Sequence, residues 1–213
     1  MGAYSKYILP GLLDLAMRNR EMASLRAEWV SQARGEVLEI GIGSGLNLPF
    51  YAVDVERVYG LDPSPQLQRI ARRRAALADF PVEFFTQSAE LDPPMANASI
   101  DTVVVTWTLC SVRDPILVLR NAGRVLKPEG RLIFLEHGRS PSPGVASWQN
   151  KLTPLWKHVA GGCTLNRRID DLVWSAGFRI SHLVTGYMRG PRPMTFMYKG
   201  IAQPVPSYPD EIE

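Results

Sequence analysis

Cysteine is scarce. Only Cys110 and Cys163 occur in 213 residues. They stand far apart, which excludes a disulfide framework and the short ligand spacings of a zinc module. A reducing cytoplasm is the expected compartment. No apolar run is long enough to cross a bilayer. The first residues do not show the basic start, apolar stretch and small-residue site of a secretory leader in that order, so no signal peptide is expected. Charge of one sign is also lacking: 24 Lys and Arg against 21 Asp and Glu leave +3, spread along the chain. That balance does not by itself point to nucleic acid. The cluster Arg72-Arg73-Arg74 reads as the solvated face of a helix. No internal repeat is visible. What remains is 46% hydrophobic, ample for one packed domain over residues 1–213.

The chain is organised around Val37-Leu38-Glu39-Ile40-Gly41-Ile42-Gly43-Ser44-Gly45-Leu46-Asn47. Val37 to Ile40 reads as a buried parallel strand. It stops at three glycines spaced G-x-G-x-G, which let backbone pass close to a ligand. A short helix expected from Leu46 to Tyr51 would offer free N–H groups at its start. Strand, glycine turn and helix start make a nucleotide-type pocket. The dinucleotide pattern G-x-G-x-x-G fails, because Leu46 occupies the sixth position from Gly41. Arg57 to Leu61 reads as a second strand ending at Asp62, whose carboxylate can take both hydroxyls of a ribose. Glu39, a carboxylate inside the first strand, is costly to bury without a partner. A ligand ammonium would be such a partner.

These residues resemble the class I S-adenosylmethionine-dependent methyltransferases. The run LEIGIGSG is similar to their first motif and Gly60-Leu61-Asp62-Pro63-Ser64 to their second, and the likeness extends from about Gly35 to Phe134. It implies a Rossmann-like α/β fold: a mostly parallel seven-stranded sheet with one antiparallel strand and helices on both faces. It implies S-adenosylmethionine as cofactor. The implied cofactor shell comprises Glu39, Gly41, Ile42, Gly43, Gly45, Asn47, Asp62, Pro63, Ser88, Ala89, Glu90 and Thr106. Asp62 would lie on the ribose, Glu39 at the amino-acid end, and the Gln87-Ser88-Ala89-Glu90 loop against the adenine. Ser88 departs from the family there, where aspartate is common.

The remaining elements follow from local signals. Residues 1–34 read as an N-terminal helical region with an apolar face broken by Pro10-Gly11, then a second segment from about Arg20 to Ala33. It packs on the sheet or acts as a lid, with Tyr4 and Tyr7 as pocket aromatics. Contact of its apolar face with a membrane surface is a third reading. Pro63 to Ala78 reads as a helix capped by Ser64, Pro81 to Phe85 as a third strand, and Ser99 to Val105 as a fourth. Asp114-Pro115 opens a helix to Leu126, a turn follows at 127–130, and Arg131 to Glu136 is the fifth strand. Ile169 to Ala176 reads as a helix. Strands starting at Gly177 and spanning Phe196 to Ile201 close the sheet. The tail from Gln203 reads as loosely ordered.

A sulfonium is already a strong methyl donor, so positioning the acceptor supplies much of the acceleration. A base is needed only where the acceptor starts protonated. His137, at the end of the fifth strand, is the candidate base. His182, within a strand, is expected to have no role. Residues 137–168 form a substrate-side insertion, with Cys110, Trp148 and His158 as further acceptor-side candidates. Thr108 to Val112, Leu135 to Gly138 and the stretch from Trp148 to Arg167 resemble the thiol S-methyltransferases of animals. Those carry an N-terminal membrane helix; without it, a soluble, bacterial-type relative is expected. The resemblance implies a small, rather apolar acceptor, a thiol first. A phosphatidylethanolamine amine and a quinone-type small molecule are the alternatives. No N-P-P-aromatic motif for an extruded base occurs, so nucleic acid is not expected as a substrate.

Overall fold

The computed structural model describes residues 9–205. Tyr4 and Tyr7 lie outside them. Helices α1 (Leu9–Ala16) and α2 (Arg20–Trp29) precede strand β1 (Gly35–Ile40). There follow β2 (Val55–Leu61), α3 (Pro65–Ala75), β3 (Val82–Phe85), β4 (Ile100–Thr106), α4 (Pro115–Val125), β5 (Leu126–His137), α5 (Pro143–Val159), α6 (Ile169–Ser175), β6 (Phe178–Tyr187) and β7 (Phe196–Pro204). They build one seven-stranded sheet in the order β3-β2-β1-β4-β5-β7-β6. Strands β1 to β5 pair in parallel, and β7 lies antiparallel between β5 and β6.

The central strands are apolar on both faces, and strict alternation sorts their side chains. Leu38, Val103, Val105, Leu132 and Phe134 pack with α4 and α6 residues such as Leu119, Ala122, Ile169 and Val173. Val37, Val58, Val104 and Ile133 point to the opposite face, where Trp29 and Val30 complete the core with Leu48. The N-terminal segment therefore covers the face that a crossover helix between β1 and β2 would otherwise fill. That crossover contains no α-helix. Residues 41–54 hold only a 3-10 turn, Leu48–Phe50, so the helix predicted from Leu46 to Tyr51 does not form. Pro49 lacks an N–H, and Asn47 spends its side chain on the site rather than on a cap.

Three other boundaries differ from expectation. Pro10 and Gly11 lie in the first turn of α1 rather than breaking it. Strand β5 begins at Leu126, which pairs with Ile100 across a register shift, so the predicted turn at 127–130 is a bulged strand entry. Gln203 and Pro204 pair with Arg179 and Phe178, so the predicted loose tail begins as strand. The caps behave as read: Ser64 Oγ accepts from Leu67 N at 3.3 Å and Asp114 Oδ1 from Leu117 N at 3.0 Å. Among the described residues no helix is long and apolar enough to cross a membrane.

Candidate active site

The sheet order reverses between β1 and β4, and a crevice opens at the carboxyl ends of such neighbouring strands. A cavity of about 1060 Å³ occupies that place, at the upper end of the range for small-molecule sites and roomy enough for two ligands. Its walls come from the loops after β1, β2, β3, β4 and β5, closed over by α1, α2 and the end of α5.

The half of the cavity nearest β1 and β2 is polar. Gly41, Ile42 and Gly43 line it. A Cβ at Gly41 would stand 2.1 Å from Thr108 Oγ1, and its φ is +76°, so only glycine lets the two loops meet. Gly43 (φ +53°) faces free space, with Asp62 Oδ2 the nearest side-chain atom to a hypothetical Cβ at 4.0 Å. Gly45 does not line the cavity. A Cβ there would press on Ala71 and Leu48, so this glycine packs the loop onto α3 and α3's partner turn. Asp62 accepts from Gly43 N at 3.0 Å and Ser64 N at 2.7 Å. Burial pushes its carboxyl up, against those two N–H groups.

Glu39 is fully buried on β1. It accepts from Asn47 Nδ2 at 2.9 Å and from the Tyr51 hydroxyl at 2.8 Å. Burial pushes its carboxyl up to about 7, against those bonds and the nearby Arg26 charge. Asn47 Nδ2 also donates to Thr106 Oγ1 at 2.9 Å, while Asn47 Oδ1 accepts from Arg26 Nε at 3.0 Å. Arg26, which sequence reasoning missed, is buried, donates to Met17 O at 3.0 Å, and lies over Trp107. Burial pulls its guanidinium down to about 10. Trp107 takes a positive φ of 48°, uncommon for a bulky residue and often found where a site constrains the chain. These residues fit the implied cofactor. An ammonium beside Glu39 would favour its ionised form, Asp62 keeps acceptor capacity for hydroxyls, and the bare face of Gly43 leaves room for the chain between.

Pro63, Ser88, Ala89 and Glu90 continue this wall. Glu90 accepts from Arg113 N at 2.6 Å and Asp114 N at 2.9 Å, so its carboxylate braces the start of α4. The arginine cluster is only partly a solvated face. Arg74 turns inward, donates to Ser44 O and pairs with Asp14 of α1 at 2.9 Å. Arg72 lies over the Phe84 ring at 4.5 Å.

The cavity also has an apolar, sulfur-rich lining. Met22, Met188, Met194 and Met197 contribute to it with Trp156 and Val159. At its floor stand Cys110, His137 and Cys163, with ligating atoms all within 4.8 Å of one another. Cys163 Sγ lies 3.6 Å from His137 Nδ1, and His137 Nε2 is buried without a hydrogen-bond partner among the described residues. The Cys110 thiol, directed at Cys163, holds the Cys163 thiol below its usual range, while its own is pushed up. Behind them the buried Glu136 carboxylate accepts from the N–H groups of Thr108, Leu109 and Cys110 at 2.6, 2.9 and 3.3 Å.

Two predicted acceptor-side residues stand elsewhere. Trp148 is 58% exposed on the outer side of α5, with Lys151 Nζ 5.4 Å from its ring centroid. His158 is exposed and its Nδ1 contacts Pro154 O at 2.7 Å. Helix phase decides this. Gln149 is fully buried, binding Ser140 N, Gly138 O and Pro193 O. Trp156, seven residues on, shares its side and lines the cavity. His182 packs edge-on to Trp29, with ring centroids 5.4 Å apart.

Comparison with known proteins agrees with this geometry. Residues 38–134 match the family described as a methyltransferase domain. The human thiol S-methyltransferase TMT1B is 38% identical over 176 residues, covering 78% of this chain and 71% of the relative. Human TMT1A is 33% identical over 172 residues, covering 78% and 69%. In fold, a SAM-dependent methyltransferase from Leishmania major superposes with a TM-score of 0.69 at 15% identity, covering 94% of this chain and 80% of that one.

Proposed function

The chain belongs to the class I S-adenosylmethionine-dependent methyltransferases, and from that premise we propose that it methylates the sulfur of small, apolar thiols. When bound, S-adenosylmethionine supplies a methyl group on a positively charged sulfonium, which departs as the neutral thioether of S-adenosylhomocysteine. Glu39 and Asp62 would hold the two polar ends of the cofactor, with the Gly41–Gly43 turn beside them. The acceptor must arrive as a thiolate on the line of the S–CH3 bond, and alignment supplies on the order of several kcal/mol.

One juxtaposition carries this reading: Cys110, His137 and Cys163 line the same methionine-walled chamber that adjoins the cofactor cradle. The chamber suits an apolar acceptor, since methionine walls adapt to differently shaped ligands. The Cys110, His137 and Cys163 group on its floor is where the acceptor sulfur would be received. The two free cysteines also fit a reducing compartment such as the cytoplasm.

Leu12 and Val159, at the mouth of the chamber, continue into Leu15 and Leu155, which are 69% and 71% exposed. This apolar rim favours a second reading, transient contact with a lipid surface, in which the acceptor would be a phosphatidylethanolamine amine. Labelled S-adenosylmethionine offered to a panel of small thiols and phosphatidylethanolamine vesicles separates the two. Labelled thiol with untouched lipid is the expected outcome; labelled lipid with silent thiols would overturn the thiol assignment.

A further inference from the structure

We infer that Cys110, His137 and Cys163 form a site for one zinc-like divalent metal ion, with the fourth coordination position left to the acceptor thiol. This inference rests on the thiol reading above. Three observations carry it. The first is the donor set. Two thiols and one imidazole are the ligand types zinc selects, and a site with three protein ligands and one open position is the arrangement that binds substrate.

The second is geometry. Ligands at Zn–S and Zn–N distances of about 2.3 and 2.0–2.1 Å on a tetrahedral ion stand about 3.5 Å apart for S···N. Cys163 Sγ and His137 Nδ1 are 3.6 Å apart, and all three ligand atoms fall within 4.8 Å. The third is access. All three side chains line the cavity, so an ion held by His137 Nδ1 and the two sulfurs would have its fourth side open to an acceptor.

The surroundings hold the three residues in place. The Glu136 carboxylate gathers the N–H groups of the Cys110 loop from below. Thr164, next to Cys163, donates through its N–H and its hydroxyl to Cys110 O at 2.8 and 2.9 Å. The two cysteine segments are thus tied together before any ion arrives, as metal sites require of their supporting shell. Loading releases the protons of Cys110 and Cys163, and two thiolates then balance the charge of the ion. The acceptor R–SH next gives its proton to solvent through the cavity, and R–S⁻ takes the fourth position. A sulfur lone pair then forms the new S–CH3 bond while the sulfonium bond breaks, and the neutral thioether R–S–CH3 leaves the ion.

Cobalt(II) is the probe. Added to metal-stripped, reduced full-length protein, it is expected to bind one ion per chain. It should give the thiolate-to-cobalt charge-transfer band and the visible bands of a tetrahedral ion. Cys163→Ser and His137→Asn should each lose or weaken those bands while retaining a cooperative melt and cofactor binding. Thiophenol should shift the visible bands of the wild type. Absent bands in the wild type, or bands unchanged in Cys163→Ser, would overturn the metal site. Bands that thiophenol leaves unmoved would overturn the open position. The thiol reading fails separately: a loaded enzyme that methylates no thiol refutes it, whereas a fully stripped enzyme that methylates thiols at an unreduced rate refutes only the metal.

Discussion

The guanidinium of Arg26 lies 4.7 Å from the centroid of the Trp107 ring, and its Nε reaches Asn47 Oδ1 at 3.0 Å. One residue of α2 thereby fixes both the strained turn after β4 and the polar network around Glu39. Arg26→Met keeps most of the stem but removes the guanidinium, leaving Asn47 Oδ1 and the Trp107 face unpartnered. Stability is expected to fall by about 1–3 kcal/mol. Cofactor affinity should fall as well, since Glu39 loses its nearest positive charge. Urea midpoints and calorimetric titration of S-adenosylmethionine would measure the two effects.

Glu39 gives the site a pH dependence with a definite sign. Its folded carboxyl is raised from 4.5 to about 7 by burial. Between those values the folded state keeps a proton that the unfolded state has released. The contribution is therefore complete below about pH 4.5 and is lost as pH rises through about 7, an effect on the order of 3 kcal/mol. The cofactor-free protein should show that loss, and Glu39→Gln should not. Cofactor affinity should run the other way, rising with pH through about 7 as the ionised carboxylate becomes available to an ammonium. Glu39→Gln should lower affinity on the order of 10–100-fold. Chemical denaturation across pH and titrations in buffers of different ionisation heat would test both.

Asp14 is buried on α1 and paired with Arg74 at 2.9 Å and with Arg18, while Leu12 and Leu15 of the same helix are exposed. Burial raises its carboxyl, but the neighbouring Arg74 and Arg18 guanidiniums and the Ser44 hydroxyl outweigh that and hold it below the usual range. Its contribution is present above the ordinary carboxylate value and is lost as pH falls through the lowered one. Asp14→Asn should cost about 1 kcal/mol and loosen α1 from α3. The expected sign is faster proteolysis near residues 9–20 and a higher KM for S-adenosylmethionine, with kcat little changed.

Much of the fold was legible because it is written locally. The apolar strands declared themselves, and their alternation places Val37 and Val104 on one face and Leu38 and Val103 on the other. Ser64 and Asp114 announced their helices as caps. The glycine turn, Glu39 and Asp62 marked the polar part of the cavity, because a carboxylate or a glycine at a strand end is unusual in itself. Arg26 was not legible: a lone arginine in a polar helix gives no sign that it turns inward. Nor was the cluster at the floor. Cys110, His137 and Cys163 are separated by more than twenty residues at each step, and only the order of β4 and β5 and the return of the chain after α5 bring them together. The helix predicted after the glycine turn failed for a local reason, Pro49 and the diverted Asn47.

The phase of α5 offers the sharpest separation of aromatic residues that look alike in sequence. Trp156 lines the cavity, while Trp148 stands in solvent and His158 bonds back to its own helix. Sequence alone does not separate them, because an aromatic residue signals a pocket without saying which way it faces. The buried Gln149 sets that direction, since residues seven apart on a helix lie nearly in line. Trp156→Ala removes a wall of the chamber and should raise KM for an apolar thiol about 10-fold or more, with a smaller effect for a thiol too small to reach the wall. Trp148→Ala and His158→Ala should stay within about two-fold of the wild type, as surface substitutions do. Steady-state kinetics with two thiols of different size would check all three. A loss with Trp148→Ala equal to that with Trp156→Ala would mean that acceptors bind along the outer face of α5, and the chamber would then lose its role.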